Sequence, residues 1–202
     1  MNHCGRISLF FLPVFLFACA TAGQKYISLQ YTKAVAKTTK SQIGISQFKD
    51  VRSDAPKGYI GRRILLDNSQ ETYFVTNMDL SDALTKATAS FLETQGYTPV
   101  PVEPWETTPD GVAAVSTQLP YLVGGNIRVF ECRAQKKSGH TTMTLDINFD
   151  LYVGIPDRQA LKTIPVTFSL EKTVLTFTRE KLEKFVNDSI AEILEKALVI
   201  EE

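Results

Sequence analysis

Met143-Thr144-Leu145-Asp146-Ile147-Asn148-Phe149-Asp150-Leu151-Tyr152-Val153-Gly154-Ile155 alternates apolar with polar or small side chains without a break. Successive side chains of a strand point to opposite faces. Met143, Leu145, Ile147, Phe149, Leu151 and Val153 therefore share one face, and Thr144, Asp146, Asn148, Asp150 and Tyr152 the other. One buried face and one wet face is the pattern of an antiparallel sheet. Upstream, Tyr121–Gln135 reads as a strand that starts through Gly124-Gly125, and Lys136-Lys137-Ser138-Gly139 as a turn. That turn sets Gln135 opposite His140 and Cys132 opposite Met143. Downstream, Pro156-Asp157-Arg158-Gln159 turns the chain again, and Ile164, Val166, Phe168 and Leu170 repeat the alternation. The expectation is a three-stranded antiparallel meander.

Two segments carry helical spacing instead. Leu80, Leu84, Ala87 and Phe91 form an apolar stripe over Asp79–Gln95, with Asn77 or Asp79 to cap its start and Gly96 to end it. Leu182, Phe185, Val186, Ser189, Ile193 and Ala197 mark one face of Thr178–Leu198. Shorter strands are expected at Ser41–Phe48 and Tyr97–Val100, with a hairpin of Tyr59–Leu66 and Glu71–Thr76 around Asp67-Asn68-Ser69. Lys49–Gly58 reads as a loop. Pro101–Pro120 holds four prolines and Trp105, the only tryptophan, with a short helical turn expected at Val112–Ser116. Connections of this length are often functional. Together these elements predict an α+β fold, a two-layer sandwich of a mainly antiparallel sheet with two amphipathic helices on one face. The other face would be solvated or dock a partner.

The N-terminus has a separate logic. A short polar start carrying Arg6 leads into an apolar run, Ile7–Phe17. That run falls well short of the roughly 20 residues that span a bilayer, so it reads as a signal-peptide core. Leu16-Phe17-Ala18-Cys19 closes it and resembles the lipobox of bacterial lipoproteins, with Leu16, Ala18 and Cys19 matching and Phe17 larger than the usual residue. The resemblance implies cleavage before Cys19, a diacylglycerol on its thiol and a further acyl chain on its amine. Two or more chains anchor firmly where one does not. The alternative is an ordinary leader cut after Ala20. Ala20 at the position after the cysteine favours outer-membrane sorting, again by resemblance. Residues 1–18 are thus expected to be a lipoprotein signal peptide, 19–40 a lipidated N-terminus and tether with a short strand near Tyr26–Leu29, and 41–202 a single periplasmic α+β domain.

Charge and chemistry narrow the function. The chain carries 22 Lys plus Arg and 22 Asp plus Glu. Such a balance supplies no field to gather nucleic acid. Cys132 would be the only thiol left free after lipidation, so no internal disulfide is expected. His140 is the only mature histidine, and the hairpin register offsets it from Cys132, which argues against a nucleophile pair. Asp146, Asn148 and Asp150 sit about 6.7 Å apart along one strand face, too far to wrap one calcium ion. Gly124-Gly125-Asn126 lacks the spacing and lysine of a phosphate loop and reads as a bulge or strand start. No serine elbow or zinc ligand set is present. The sequence therefore points away from an enzyme, and from any metal or cofactor.

Phe48-x-Asp50-x-Arg52, Ile60-Gly61, and the helix Asp79–Gln95 ending in Gly96-Tyr97 resemble the YajG-type family of uncharacterised bacterial lipoproteins. The resemblance covers most of Ile43–Leu198, and more loosely extends to the auxiliary lipoproteins of envelope ABC transporters. The YajG-type resemblance implies outer-membrane anchoring and a periplasmic domain, with no established activity. The expected function is a non-enzymatic, lipid-anchored lipoprotein that presents a binding domain to an envelope protein. The alternative is a lipid-handling accessory of an envelope ABC transport system, with an apolar cleft between helices and sheet. Asp50, Arg52 and Trp105 are the candidate partner-binding residues. An Asp and an Arg two apart after a strand also commonly bind each other.

Overall fold

The computed structural model describes residues 23–33, 40–115 and 118–200. Their elements run β1 (Gln24–Ile27), β2 (Gln42–Ser46), β3 (Lys49–Asp50), β4 (Tyr59–Ile64), β5 (Gln70–Val75), α1 (Leu80–Thr94), β6 (Thr98–Val102), α2 (Pro109–Ala114), β7 (Leu122–Lys137), β8 (His140–Ile155), β9 (Ala160–Val174) and α3 (Arg179–Ala197). Leu16, Phe17, Ala18 and Cys19 lie outside the described residues.

The meander is present. β8 pairs antiparallel with β7 along its whole length on one side and with β9 on the other. The turn differs from expectation. Ser138-Gly139 alone makes it, with Gly139 at φ +82°, so Lys137 faces His140 and Cys132 faces Leu145. The lysines belong to the strand, and the shift moves Cys132 and His140 further apart in register.

The expected two-layer, mainly antiparallel sandwich with two helices is wrong. The sheet is curled into a half-barrel, five of its eight strand pairings are parallel, and there are three helices. The reason lies on the edge of β7 away from β8. There β7 takes three short parallel partners in succession: β2 at Leu122–Val123, β3 at Asn126–Ile127 and β4 at Cys132–Gln135. β4 continues to β5 and β1, and β2 continues to β6. The sheet thus forks from one long strand. Alternation along β8 specifies its faces but is silent about what joins the far edge of β7.

Several residues make the fork possible. Gly61 approaches β7 so closely that a Cβ would lie 1.8 Å from the Cys132 carbonyl oxygen. Pro99 and Pro101 lie in β6, whose single pairing to β2 makes it an edge, where a missing N–H is tolerated. β1 extends the fork into the segment expected as a tether: Gln24–Ile27 pairs with Thr72–Val75, and Ile27, Leu29 and Tyr31 are buried. Asn187 on α3 bridges this stretch, accepting from the Gln30 N–H at 3.1 Å and donating to the Ser28 carbonyl at 3.0 Å.

The core fills the layer between the sheet and helices α1 and α3. Leu80, Leu84 and Phe91 of α1 and Leu182, Phe185 and Ile190 of α3 pack on the face that carries Phe130, Leu145 and Ile147. α2 occupies the opposite face. Val112 would meet a Cβ at Gly154, which shares the polar face of β8 with Tyr152, and Leu122 is buried there too. The second face is therefore covered at one end by α2 and polar at the other.

Candidate functional site

The direction of β7 defines two ends of the molecule. Its start carries β2, β6 and the connection through α2, and its finish carries the β4–β5 and β7–β8 turns. Over the thirteen-residue span from Gly124 to Lys137, a rise of about 3.3 Å per residue separates them by roughly 40 Å.

Trp105 stands at the first end. Thr108 caps α2 by accepting from the Gly111 N–H at 3.0 Å, and this holds Pro104–Thr107 over the sheet. Trp105 is half-buried and walls two clefts. One, of about 410 Å³, has Gly124 and Gly125 in its floor, Ser46 and Gln47 at its side and Asn126 and Tyr152 beyond. The other, of about 530 Å³, runs along Val102, Pro104, Ala114 and Val115. Gly125 is obligatory, whereas Gly124 is crowded only by a serine hydroxyl that can rotate. A Cβ on Gly125 would lie 2.4 Å from the Phe48 ring, and one on Gly124 would lie 2.6 Å from Ser46 Oγ and 3.8 Å from Trp105 Cζ2. The Trp105 indole N–H is buried and has no acceptor among the described residues.

A polar chain edges the first cleft. Asn126 donates to the Tyr152 hydroxyl at 3.0 Å, and Tyr152 donates to Asp150 at 3.4 Å. Arg128 completes the chain with a close ion pair to the buried Asp150 carboxylate. Burial and then the Asp150 charge raise the Tyr152 pKa, so the phenol stays a neutral donor at ordinary pH.

Asp50 and Arg52 lie elsewhere, and they serve each other. Arg52 donates through Nε and Nη2 to the two Asp50 carboxylate oxygens, at 2.9 and 2.8 Å. Its Nη1 donates to the carbonyls of Tyr59 (2.9 Å) and Phe130 (3.1 Å), and its side chain is only 6% exposed. Burial alone would raise the Asp50 pKa, but the Arg52 side chain and backbone N–H outweigh it and hold the carboxyl below its usual value. This guanidinium ties the β3 strand to β4 and β7, and four of its five N–H donors are spent on that task. Trp105 is thus not brought together with Asp50 and Arg52.

The remaining chemical candidates are also accounted for. Cys132 is buried, and burial, then Glu131 and Asp146, pushes its thiol up to about 12. Asp146 takes an ion pair from Arg133 and a hydrogen bond from Ser169 at 2.7 Å, while Asn148 donates to Thr167 at 3.2 Å. Among the described residues, no group of three His, Cys, Asp or Glu side chains is placed to hold a metal. Sequence reasoning singled out Trp105 but missed Ser46, Gln47, Asn126 and Tyr152 around it. The available signal was the adjacent Gly124-Gly125, which a strand needs only where another group must come close.

No family model matches the chain, and no curated protein matches it. Solved structures do. A Xanthomonas campestris protein of the family-model DUF330 superposes with a TM-score of 0.53 at 11% identity, covering 87% of this chain and 91% of its own. An uncharacterized protein reaches 0.49 at 13% identity, covering 85% and 93%. A hypothetical protein of Chlamydia trachomatis reaches 0.38 at 7% identity, covering 78% and 91%. At such identities the likeness concerns architecture alone: the chain shares its fold with the Xanthomonas DUF330 protein.

Proposed function

We propose that this chain is a lipid-anchored bacterial lipoprotein, held through Cys19 at the outer membrane with its domain in the periplasm, that binds an envelope protein without catalysing a reaction. The lipobox-like Leu16–Cys19 and the resemblance to YajG-type lipoproteins support the address. The observation that carries the binding role is the Trp105 wall shared by two clefts. Tryptophan is the residue most often found at the energetic centre of a protein interface. Its buried N–H lacks an acceptor among the described residues, which costs about 1–3 kcal/mol and is relieved when the indole turns to meet a partner's carbonyl. The glycine floor accommodates backbone, and Asn126 and Tyr152 offer polar contacts, so the occupant that fits is an extended segment of a protein.

The test is site-specific photocrosslinking in intact cells, with the crosslinker at Thr107 beside the cleft or at Lys196 on the exposed face of α3. A discrete protein adduct is expected at 107, absent at 196 and lost when Trp105→Ala is added. Identical adducts at both positions, or an adduct that survives Trp105→Ala, refutes the site. A second reading, a lipid-handling accessory of an envelope ABC transport system, draws on the 530 Å³ cleft with Val102, Pro104, Ala114 and Val115 along it. The layer between helices and sheet, where that reading expects its cleft, is filled by core side chains. Acyl chains that copurify with the protein and are displaced by Trp105→Ala would favour this second reading over the first.

A further inference from the structure

The other end of the sheet gathers exposed leucines, unpaired cations and the exit of the N-terminal chain. Leu66, in the β4–β5 turn, is 63% exposed, and Leu175, just after β9, is 86% exposed. These are the two most exposed large apolar side chains among the described residues. Register brings them to one place. Ile64 aligns with Gln135 and Thr141 with Val174, so the two leucines flank the Ser138-Gly139 turn from either side. Lys136, Lys137 and Lys172 stand around them and form no ion pair among the described residues. The acids nearby are largely engaged: Glu71 with Arg63 at 3.2 Å, Glu180 with Arg179 at 3.5 Å, and Asp67 with the Ser69 hydroxyl at 2.6 Å. Glu171, beside Lys172, is the exception. A cleft of about 350 Å³ opens between Arg63, Lys136, His140, Leu175 and Phe177. Arg63, paired through Nη1 with Glu71, lies over the Phe177 ring there, 4.1 Å from its centre, with its Nε buried and without a partner among the described residues.

The chain enters the fold at this same end. β1 runs parallel to β5, and its first residue, Gln24, aligns with Thr72, just beyond the turn that carries Leu66. Cys19 precedes Gly23 by four residues, which extended chain can stretch to about 14 Å at most. Resting on the reading of Cys19 as the lipidated residue, we propose that this end of the sheet docks on the bilayer: Leu66 and Leu175 enter the interfacial layer, and Lys136, Lys137, Lys172 and the Arg63 cleft face the phosphates of anionic phospholipids. Basic side chains near an anionic surface and a lipid chain act as cooperating signals. The docked pose fixes the direction of the whole domain. The Pro156–Gln159 turn and the Trp105 clefts then stand away from the membrane, where a partner reaches them.

The experiment uses the full chain, purified with its lipid and reconstituted into vesicles of phosphatidylethanolamine and phosphatidylglycerol. An environment-sensitive fluorophore is placed at Leu66→Cys, Leu175→Cys or Asp157→Cys, Cys132 being buried. Quenching by a nitroxide on the lipid headgroup is expected to be at least fivefold greater at 66 and 175 than at 157. Lys136→Glu, Lys137→Glu and Lys172→Glu together should at least halve the quenching at 175. Equal quenching at the three positions, in protein that incorporates labelled fatty acid at Cys19, overturns the docked pose and leaves the anchor standing. A contact between two copies at 175 without lipid quenching overturns it likewise. Failure of Cys19 to take up fatty acid overturns the pose and the anchored reading together.

Discussion

The two ends of β7 use the same strand for opposite purposes. Where the strand finishes, the neighbouring elements join through short turns at Leu65–Ser69 and Ser138-Gly139, and the surface is cationic and studded with leucine. Where it starts, the chain leaves β6 after Val102 and runs a long way through Trp105 to α2 on the second face. That path walls two open clefts, one of them floored by Gly124 and Gly125. Connection length, more than strand composition, sets where the larger concave surfaces lie: about 410 and 530 Å³ beside the long connection, against about 350 Å³ beside the short turns. Short turns present tips, while a long insert builds walls.

Five substitutions probe the fork and its two ends. Gly61→Val acts on the fork itself, because its Cβ would collide with the Cys132 carbonyl and φ of +152° suits glycine. It should cost at least about 4 kcal/mol, at the extreme of single substitutions, read from the urea midpoint. An unchanged midpoint would show that β4 need not abut β7. Asp50→Ala comes next, at about 3 kcal/mol, because it strips the acid from a nearly buried guanidinium. The pH dependence follows with its sign. A carboxyl whose pKa is depressed in the fold adds stability above its unfolded value of about 3.9 and loses it as pH falls through the folded one. The stability margin of the native chain over Asp50→Asn should therefore be full at pH 7 and shrink below about pH 4, as thermal melts at both pH values would report.

Trp105→Ala tests the open end alone. The side chain is half-buried, so the stability cost should be about 1–2 kcal/mol, below the 3–5 of a core tryptophan. The crosslink at Thr107 should nonetheless vanish. A loss above about 3 kcal/mol would recast Trp105 as core and weaken the contrast between the ends. Leu175→Asp is the smallest change in stability, within about 0.5 kcal/mol for so exposed a side chain. In membranes it should lower headgroup quenching of a fluorophore at Leu66→Cys. Unaltered quenching there would separate Leu175 from the docked surface.

Legibility in the sequence followed interaction range. The meander, the β4–β5 hairpin and helices α1 and α3 depend on periodicity and turn chemistry within a few residues, and all are present. The Asp50–Arg52 pair was legible for the same reason, being two residues apart. The hairpin register differs from expectation because a two-residue and a four-residue turn contain the same Lys-Lys-Ser-Gly letters, and pairing of Lys136 and Lys137 with β8 leaves only Ser138-Gly139 to turn the chain. The cleft was half visible. Trp105 and the glycine pair stand out, whereas Ser46 and Tyr152 look like ordinary strand positions until β2, β7 and β8 are laid side by side.

The long strands, the two long helices, the buried face of the meander and the lipobox-like Leu16–Cys19 are legible in the sequence, since each is a pattern of neighbouring residues, whereas β3 lies in a segment that reads as a loop. Tertiary packing sets the three successive parallel partners of β7, the joining of Gln24–Tyr31 to the fold and the cover that α2 gives the second face. A strand's pleat states which side is apolar, but its edges carry the same N–H and C=O groups in every sequence. What pairs with an edge is therefore settled by the whole chain's packing, as at Gly61, where one missing Cβ lets β4 close against β7.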